Sequence, residues 1–260
     1  MDKASVLGLI IAFGGMIIGI IEEGGTPGQF IGISAIFIIF GGTIGATMVC
    51  FNLEDIKKFN KLLKIAFTKT VFDINDVINK LTGYAEKARR EGLLSLEAEL
   101  TNINDDFLKQ GLQLVVDGTD PALVRDILET QIAFKEQRHK VGAAIFETAG
   151  GFAPTMGIIG TVMGLIIVLS NLSEPDKLGS KIALAFIATL YGVGSANLFW
   201  LPVANKLKLK NKQETLMMQI ILEGILSLQA GDNPSIVNEK LKAFLSPDMR
   251  QNPKVGSGEV

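Results

Sequence analysis

The sequence predicts an all-α, polytopic membrane protein with four transmembrane helices, the third and fourth of which continue into a helical cytoplasmic domain. Two observations carry this prediction. The 260-residue chain is 48% hydrophobic and only 20% charged, and its charges are kept out of four long apolar stretches, at 4–21, 30–51, 150–172 and 182–203. An apolar helix needs about 20 residues to cross the hydrocarbon of a bilayer. No long alternation of apolar and polar residues, as in β-strands, is present.

These spans divide the chain into segments that we predict to be domains. They are a transmembrane hairpin (1–52), a cytoplasmic helical domain (53–148), a second transmembrane hairpin that lines an ion path (149–203), a cytoplasmic helical tail (204–250) and a disordered end (251–260). The final Gly-Ser-Gly-Glu-Val has the composition of an expression linker. A cleaved signal peptide is the alternative interpretation of the first span. The absence of a small-x-small cleavage site and the acidic Glu22 and Glu23 that follow argue against it.

The distribution of lysine and arginine predicts the orientation. The region between the second and third spans and the tail after the fourth are rich in both residues. The connections 22–29 and 171–181 contain only two basic residues, Lys177 and Lys181. Because basic flanks stay on the cytoplasmic side of a membrane, we expect a multi-pass protein with both termini in the cytoplasm.

In the first hairpin, both spans carry a Gly-xxx-Gly pair, Gly15/Gly19 and Gly41/Gly45, which is typical of closely packed membrane helices. After Asn52 the apolar residues recur at helical spacing on one face of a charged helix. These are Ile56, Phe59, Leu62, Leu63 and Ala66. A second helix follows, and after the breaker Gly92 a third is predicted from about Leu93 towards Val116.

A long helix is predicted next, because Asp120 suits an N-cap and Pro121 suits a first turn. No breaker follows until Gly150, so this helix is expected to become the third span. The tail after Val203 is expected to stay helical to about Gln229 and to resume after Gly-Asp-Asn-Pro.

Small and hydroxyl residues mark one face of the third and fourth spans. On helices these residues fall together; they are Gly150, Pro154, Gly157, Thr161 and Gly164, and then Ala185, Thr189, Gly192 and Ala196. Such a face serves tight helix packing, or its hydroxyls line a wet path through the membrane. The residues alone leave both interpretations open.

Ionisable residues are absent from the middle of every span. A proton-carrying path normally needs one, so an ion path here requires a carboxylate from a partner. No phosphate loop, His-Glu-xx-His or Gly-x-Ser-x-Gly motif is present. Cys50 and His139 are each the only residue of their type, which argues against a metal site. We therefore predict no enzyme activity, no cofactor, no resident metal and no nucleic-acid partner.

Three motifs resemble the MotA family of bacterial flagellar stator subunits, which is related to the ExbB and TolQ proteins. They are Ala153-Pro-Thr-Met-Gly-Ile-Ile-Gly-Thr-Val-Met-Gly164, Ala188-Thr-Leu-Tyr-Gly192 followed by Pro202, and Lys87-Ala-Arg-Arg-Glu-Gly-Leu-Leu-Ser-Leu-Glu97. The resemblance implies a bacterial inner-membrane protein that forms a ring of five copies around two MotB helices. MotB supplies the ion-carrying Asp, and the ring exerts torque on the rotor protein FliG.

The same resemblance implies roles for single residues. Pro154, Thr155, Thr161, Thr189 and Pro202 would lie along the ion path. Arg89 and Glu97 would face the rotor, with the adjacent Arg90 as the alternative arginine. The transported ion stays open between H⁺ and Na⁺. Hydroxyls of Thr161 and Thr189 suit a transient Na⁺, whereas Ala188 stands where sodium-type relatives often have a second Thr.

Two other functions remain as alternatives. An ExbB/TolQ-type energiser of envelope transport is the nearest, but such proteins usually have three spans and lack the amino-terminal hairpin. A membrane scaffold that conducts nothing would use the small-residue faces for assembly alone.

Overall fold

The computed structural model describes residues 3–69, 73–170, 175–245 and 247, and every regular element in that part of the chain is a helix. The all-α prediction is confirmed there. The described residues form two compact units, one from Met1–Lys69 and His139–Leu209, the other from Thr70–Arg138 and Lys210–Val260. The predicted end of the third span at 172 and the predicted disordered end at 251–260 lie outside the described residues.

The described α-helices, in chain order, are α1 (Lys3–Glu22), α2 (Ile33–Cys50), α3 (Leu53–Ile56), α4 (Phe59–Phe67), α5 (Ile74–Glu91), α6 (Asp106–Val116), α7 (Pro121–Leu169), α8 (175–229) and α9 (Pro234–Lys242). Two contain π-helical turns, Phe37–Gly41 in α2 and Ala196–Trp200 in α8. Two 3₁₀ helices, Pro27–Phe30 and Leu93–Asn102, connect α1 to α2 and α5 to α6.

Four helices, α1, α2, α7 and α8, are long and apolar enough to cross a membrane by length and composition. Their apolar side chains are largely exposed on the single chain; Ile10, Val49 and Phe186 are 63%, 88% and 59% exposed. An apolar surface of this extent is unusual on a water-soluble monomer and is suited to lipid or to other subunits. The prediction of a polytopic membrane protein is confirmed.

The second transmembrane helix begins later than predicted because of the connection between α1 and α2. The sequence predicts the second span from residue 30, but Phe30 closes a 3₁₀ helix and α2 begins at Ile33. Before that turn the Thr26 N–H donates to Gln29 Oε1 at 3.1 Å, and Gly24 turns the chain with φ +74°. These local bonds satisfy backbone groups that an earlier helix start would otherwise use.

The core of the first unit lies where α4 meets α7 and α8. Phe59 stacks on Phe146 with ring centroids 4.8 Å apart, and Trp200 contacts both rings. The apolar face predicted after Asn52 therefore packs inward. The single helix predicted there is instead two, because the chain breaks at Lys57 and Lys58 between α3 and α4.

The second unit has its own apolar core, to which α5, α6, α9, the first part of α7 and the last part of α8 contribute. Its fully buried residues include Leu81, Leu112, Leu128, Ile221 and Ile225. The Asp120 carboxylate accepts the Ala122 N–H at 2.9 Å at the start of α7, so the predicted cap is confirmed. The helix that ends at Gln229 and its successor α9 are also present.

The prediction of one helix from Leu93 to Val116 is wrong. The structure has a 3₁₀ helix from Leu93 to Asn102 and then a separate α6. Gly92, with φ +85°, ends α5, and Asp105 begins α6 by accepting the Leu108 N–H at 2.8 Å. Asp favours this cap position over a helix interior, so two helix starts replace one continuous helix.

The close contact of α6 with α8 gives the first testable prediction. A Cβ at Gly111 would lie 2.1 Å from Cδ1 of the fully buried Ile225. We expect Gly111→Val to lower the stability of the second unit by about 1–3 kcal/mol, because overpacking forces neighbours off their rotamers. Gly83→Ala is the control, since no atom lies within 4 Å of its added Cβ. Thermal unfolding of both variants tests this, and an unchanged midpoint for Gly111→Val would contradict it.

Candidate functional site

α7 and α8 approach each other closely along a row of small residues. A Cβ added at Gly192 would lie 2.5 Å from the Ala153 carbonyl oxygen, and one at Gly157 would lie 3.1 Å from the Ala188 oxygen. Only glycine allows this approach of the two backbones. We call this row the α7–α8 seam; it consists of Ala153, Gly157, Gly160, Thr161 and Gly164 on α7 and Ala185, Ala188, Thr189 and Gly192 on α8.

Two threonine hydroxyls meet inside the seam. Thr161 Oγ1 and Thr189 Oγ1 are 2.5 Å apart. Thr161 Oγ1 also lies 2.9 Å from the carbonyl oxygen of Ala185 and 3.1 Å from that of Gly157. Thr189 Oγ1 lies 3.4 Å from the same Gly157 oxygen. Both side chains are half-buried, so the two hydroxyls and two carbonyls form a compact cluster of oxygen atoms.

The chemistry of this cluster follows from its atoms. Each hydroxyl has one proton to donate and lone pairs to accept with, so the cluster can pass a proton or place oxygen ligands near a hard cation. It has no group that can hold a charge by ionisation. Among the described residues no three His, Cys, Asp or Glu side chains come together.

Pro154 and Thr155 follow Ala153 of the seam on α7, and neither belongs to the Thr161–Thr189 pair. Pro154 sits within the helix and cannot donate to the Gly150 carbonyl one turn earlier. It is half-buried. Thr155 is exposed, and its hydroxyl donates back to the Phe152 carbonyl at 2.8 Å. Both residues therefore border the seam on a face that a single chain leaves partly open.

Pro202 is in a different place. It is exposed on α8, two residues after the π-helical turn Ala196–Trp200, and lines a groove with Ser5 and Gly8 of α1. Proline lacks the N–H that the Leu198 carbonyl would accept, and a π-helical turn is one way in which a helix absorbs such a lost bond. Of the five residues predicted along the path, the structure brings only Thr161 and Thr189 into contact.

Arg89, Arg90 and Glu97 all lie in the second unit and are all exposed. Arg90 forms an ion pair with Glu86 one turn earlier. Among the described residues, neither Arg89 nor Glu97 has an ion-pair partner. Glu97 lies on the 3₁₀ helix that follows α5, so an exposed arginine and an exposed glutamate lie on neighbouring elements.

Two structural contacts were missed by the sequence analysis. Lys87 pairs with Glu99 at 2.5 Å and ties the 3₁₀ helix to α5; this hydrogen bond raises the pKa of Lys87. The Tyr191 hydroxyl donates to the Phe30 carbonyl at 2.7 Å and accepts the Gly32 N–H at 3.3 Å. A tyrosine within an apolar span was the available signal, because a buried phenol usually has a hydrogen-bond partner.

Known proteins resemble the chain over nearly its whole length. A model of the MotA/TolQ/ExbB proton channel family matches residues 99–220. "Motility protein A" of Bacillus subtilis is 41% identical over 94% of this chain and 91% of the relative.

Two solved structures have the same fold. The flagellar MotAB stator complex from Bacillus subtilis contains a chain that matches with a TM-score of 0.90 at 40% identity, over 96% of this chain and 98% of that one. A chain of C. jejuni MotAB matches with a TM-score of 0.91 at 32% identity, over 95% and 97% of the two chains.

Proposed function

The chain belongs to the MotA/TolQ/ExbB proton channel family, and on that premise we propose that it is a stator subunit of a bacterial flagellar motor. With a MotB partner it would couple inward cation flow to torque on the rotor. The similarity to a motility protein and to chains of MotAB complexes supports this function. The match includes the α1–α2 hairpin, which favours a motility protein over a three-span energiser of envelope transport.

The observation that carries the proposal is the α7–α8 seam. It places two hydroxyls and two carbonyls at one point between apolar helices, and no span contains an ionisable residue in its middle. A charge moving through lipid needs an ionisable group or a set of ligands. The partner MotB would supply the carboxylate, and the seam would border its path. The transported cation is H⁺ or Na⁺.

Assembly follows from the same reasoning. We propose a ring of five copies around two MotB helices, in the bacterial inner membrane with both termini in the cytoplasm. Exposed apolar residues on α7, such as Ile158 and Ile166, are available to partners or lipid. The basic residues that flank the spans on one side support the orientation. The segments 53–148 and 204–250 would then be cytoplasmic, and the second unit lies within them apart from its last ten residues.

Deletion of the gene in its host tests the function. We expect cells with a normal number of flagella that do not swim, and swimming restored by the gene on a plasmid. Electron microscopy counts the flagella, and tracking measures the swimming. A loss of flagella would indicate a role in assembly and would contradict the proposal. In a host with a second stator, the deletion is made in a strain that lacks both.

The rotor contact gives a prediction that separates the two arginines. Arg90 is already paired with Glu86, whereas Arg89 is exposed without an ion-pair partner among the described residues. We therefore propose that Arg89 and Glu97 face FliG. Charge complementarity governs such encounters more than stability does, so Arg89→Glu should abolish most swimming while Arg90→Glu has a smaller effect.

Swimming speed and membrane levels of the chain measure this prediction. Exposed ion pairs contribute only about 0–1 kcal/mol to stability, so both variants should accumulate normally. A charge-reversed FliG that restores swimming to Arg89→Glu would support direct contact. Equal defects for the two arginine variants would contradict the assignment.

A further inference from the structure

An apolar groove runs along α8 on the side that faces α1 and α2. It consists of two adjoining cavities, of about 590 and 290 Å³, and Leu198 lines both. The larger cavity is walled by carbon atoms of α1, α2 and α8, including those of Phe13, Phe40 and Phe199. The smaller continues beside Gly8 and Ala12 towards the basic end of α8.

The size of the larger cavity favours a thin, flexible occupant. At about 30 Å³ for a group the size of a water molecule, 590 Å³ holds about twenty such groups, the scale of one hydrocarbon chain. A helix about 10 Å across would fill the same volume in little more than one turn. A helix of a neighbouring chain, laid with one face in the groove, is the alternative occupant, and cross-linking between copies separates the two.

The polar atoms of the groove are concentrated at one end. Ser5, Asn197 and Lys206 line the smaller cavity, and no Asp or Glu is among the described residues that line either cavity. Lys206 is the first of four lysines that alternate along α8; the others are Lys208, Lys210 and Lys212. A lysine beside an apolar cleft at the membrane edge can place its ammonium at headgroup level and bind a phosphate there.

We propose that this groove is a specific phospholipid site, which holds one acyl chain of an anionic phospholipid with its phosphate beside Lys206. The groove walls would contact the acyl chain, and Lys206 would select the headgroup by charge. The bound lipid would fill the space between α1 and the rest of the hairpin. α1 has no buried residue of its own in the single chain, so the lipid would stabilise its position. The proposal does not depend on which cation is transported.

Native mass spectrometry of the complex with its MotB partner tests the site. The complex is purified from membranes and washed with detergent until bulk lipid is removed. We expect about one retained phospholipid per chain, enriched in anionic headgroups. Gly194→Leu should lower retention about tenfold, because Gly194 lines the larger cavity and has open space where a side chain would go. Gly179→Leu is the control, since it is equally open and does not line the groove.

Two further variants separate the acyl chain from the headgroup. Lys206→Gln should remove the preference for anionic lipid and leave some retention, whereas Lys208→Gln, which replaces a lysine that does not line the groove, should change neither. Gly8→Leu fills the smaller cavity and repeats the test if Gly194→Leu does not assemble.

Several results would overturn the proposal: no retained lipid, retention in Gly194→Leu and Gly8→Leu equal to that of the Gly179→Leu control, or no preference between anionic and zwitterionic lipid. Disulfide bonds between copies through a cysteine introduced at Met16 would also overturn it, because a second copy would then occupy the groove.

Discussion

Gly192→Val is expected to abolish swimming and to prevent normal assembly of the complex. The added Cβ would lie 2.5 Å from the Ala153 carbonyl oxygen and 2.9 Å from Gly157 Cα. Both are backbone atoms that cannot rotate away, so α7 and α8 must separate. Overpacking typically costs about 1–3 kcal/mol; here we expect the upper end or more, because the Thr161–Thr189 contact would also be lost.

Gly151→Val is the matched control for this variant. Gly151 lies on α7, is exposed, and has no atom within 4 Å of its added Cβ. Size-exclusion chromatography of the complex, thermal unfolding in detergent and swimming speed are compared for both variants. A Gly192→Val complex of normal size and normal stability would contradict the close packing described for the seam.

Thr189→Leu is expected to reduce cation flux through the complex by tenfold or more. The larger side chain would displace the Thr161 hydroxyl and fill the space in which the four oxygen atoms meet. A tenfold change corresponds to about 1.4 kcal/mol in the barrier, which is less than the cost expected from removing polar contacts along a path in lipid. Flux is measured in vesicles with a MotB variant whose plug segment is deleted, so that the channel stays open.

Two controls keep this measurement specific to the seam. Thr189→Ser retains a hydroxyl and should retain most of the flux. Val193→Leu enlarges an exposed side chain on the same helix and should have little effect. Undiminished flux through a properly assembled Thr189→Leu complex would place the ion path elsewhere. Comparing H⁺ and Na⁺ gradients in the same vesicles identifies the cation.

The starts and ends of several helices were predictable from the sequence, because the signals for them lie within a few residues. Asp120 and Pro121 begin α7, and Gly92 ends α5. The prediction between Leu93 and Val116 failed because apolar spacing alone did not distinguish a 3₁₀ helix from an α-helix. The contacts that decide the structure there are the Asp105 cap and the Lys87–Glu99 ion pair. Both are made by polar side chains, which the spacing of apolar residues does not describe.

The candidate site was predictable only in its residue types. The sequence placed Thr161 and Thr189 on small-residue faces, but packing and a wet path remained equally open. Their hydroxyl contact joins residues 28 positions apart, and the Tyr191 bond to Phe30 joins residues 161 positions apart. Such pairs depend on how helices are oriented about their axes, which no short pattern specifies.

The sequence by itself determined that the chain is a four-span, all-α membrane protein whose spans contain no ionisable group in their middle, because hydrophobic length and charge are properties of composition. The tertiary structure decided that the small residues of α7 and α8 form one seam, that two hydroxyls meet there, and that Pro202 lies apart from them on the groove beside α1. The physical reason is that two helix backbones can approach closely only where glycines lie between them, and only the packed helices show which glycines lie in that contact.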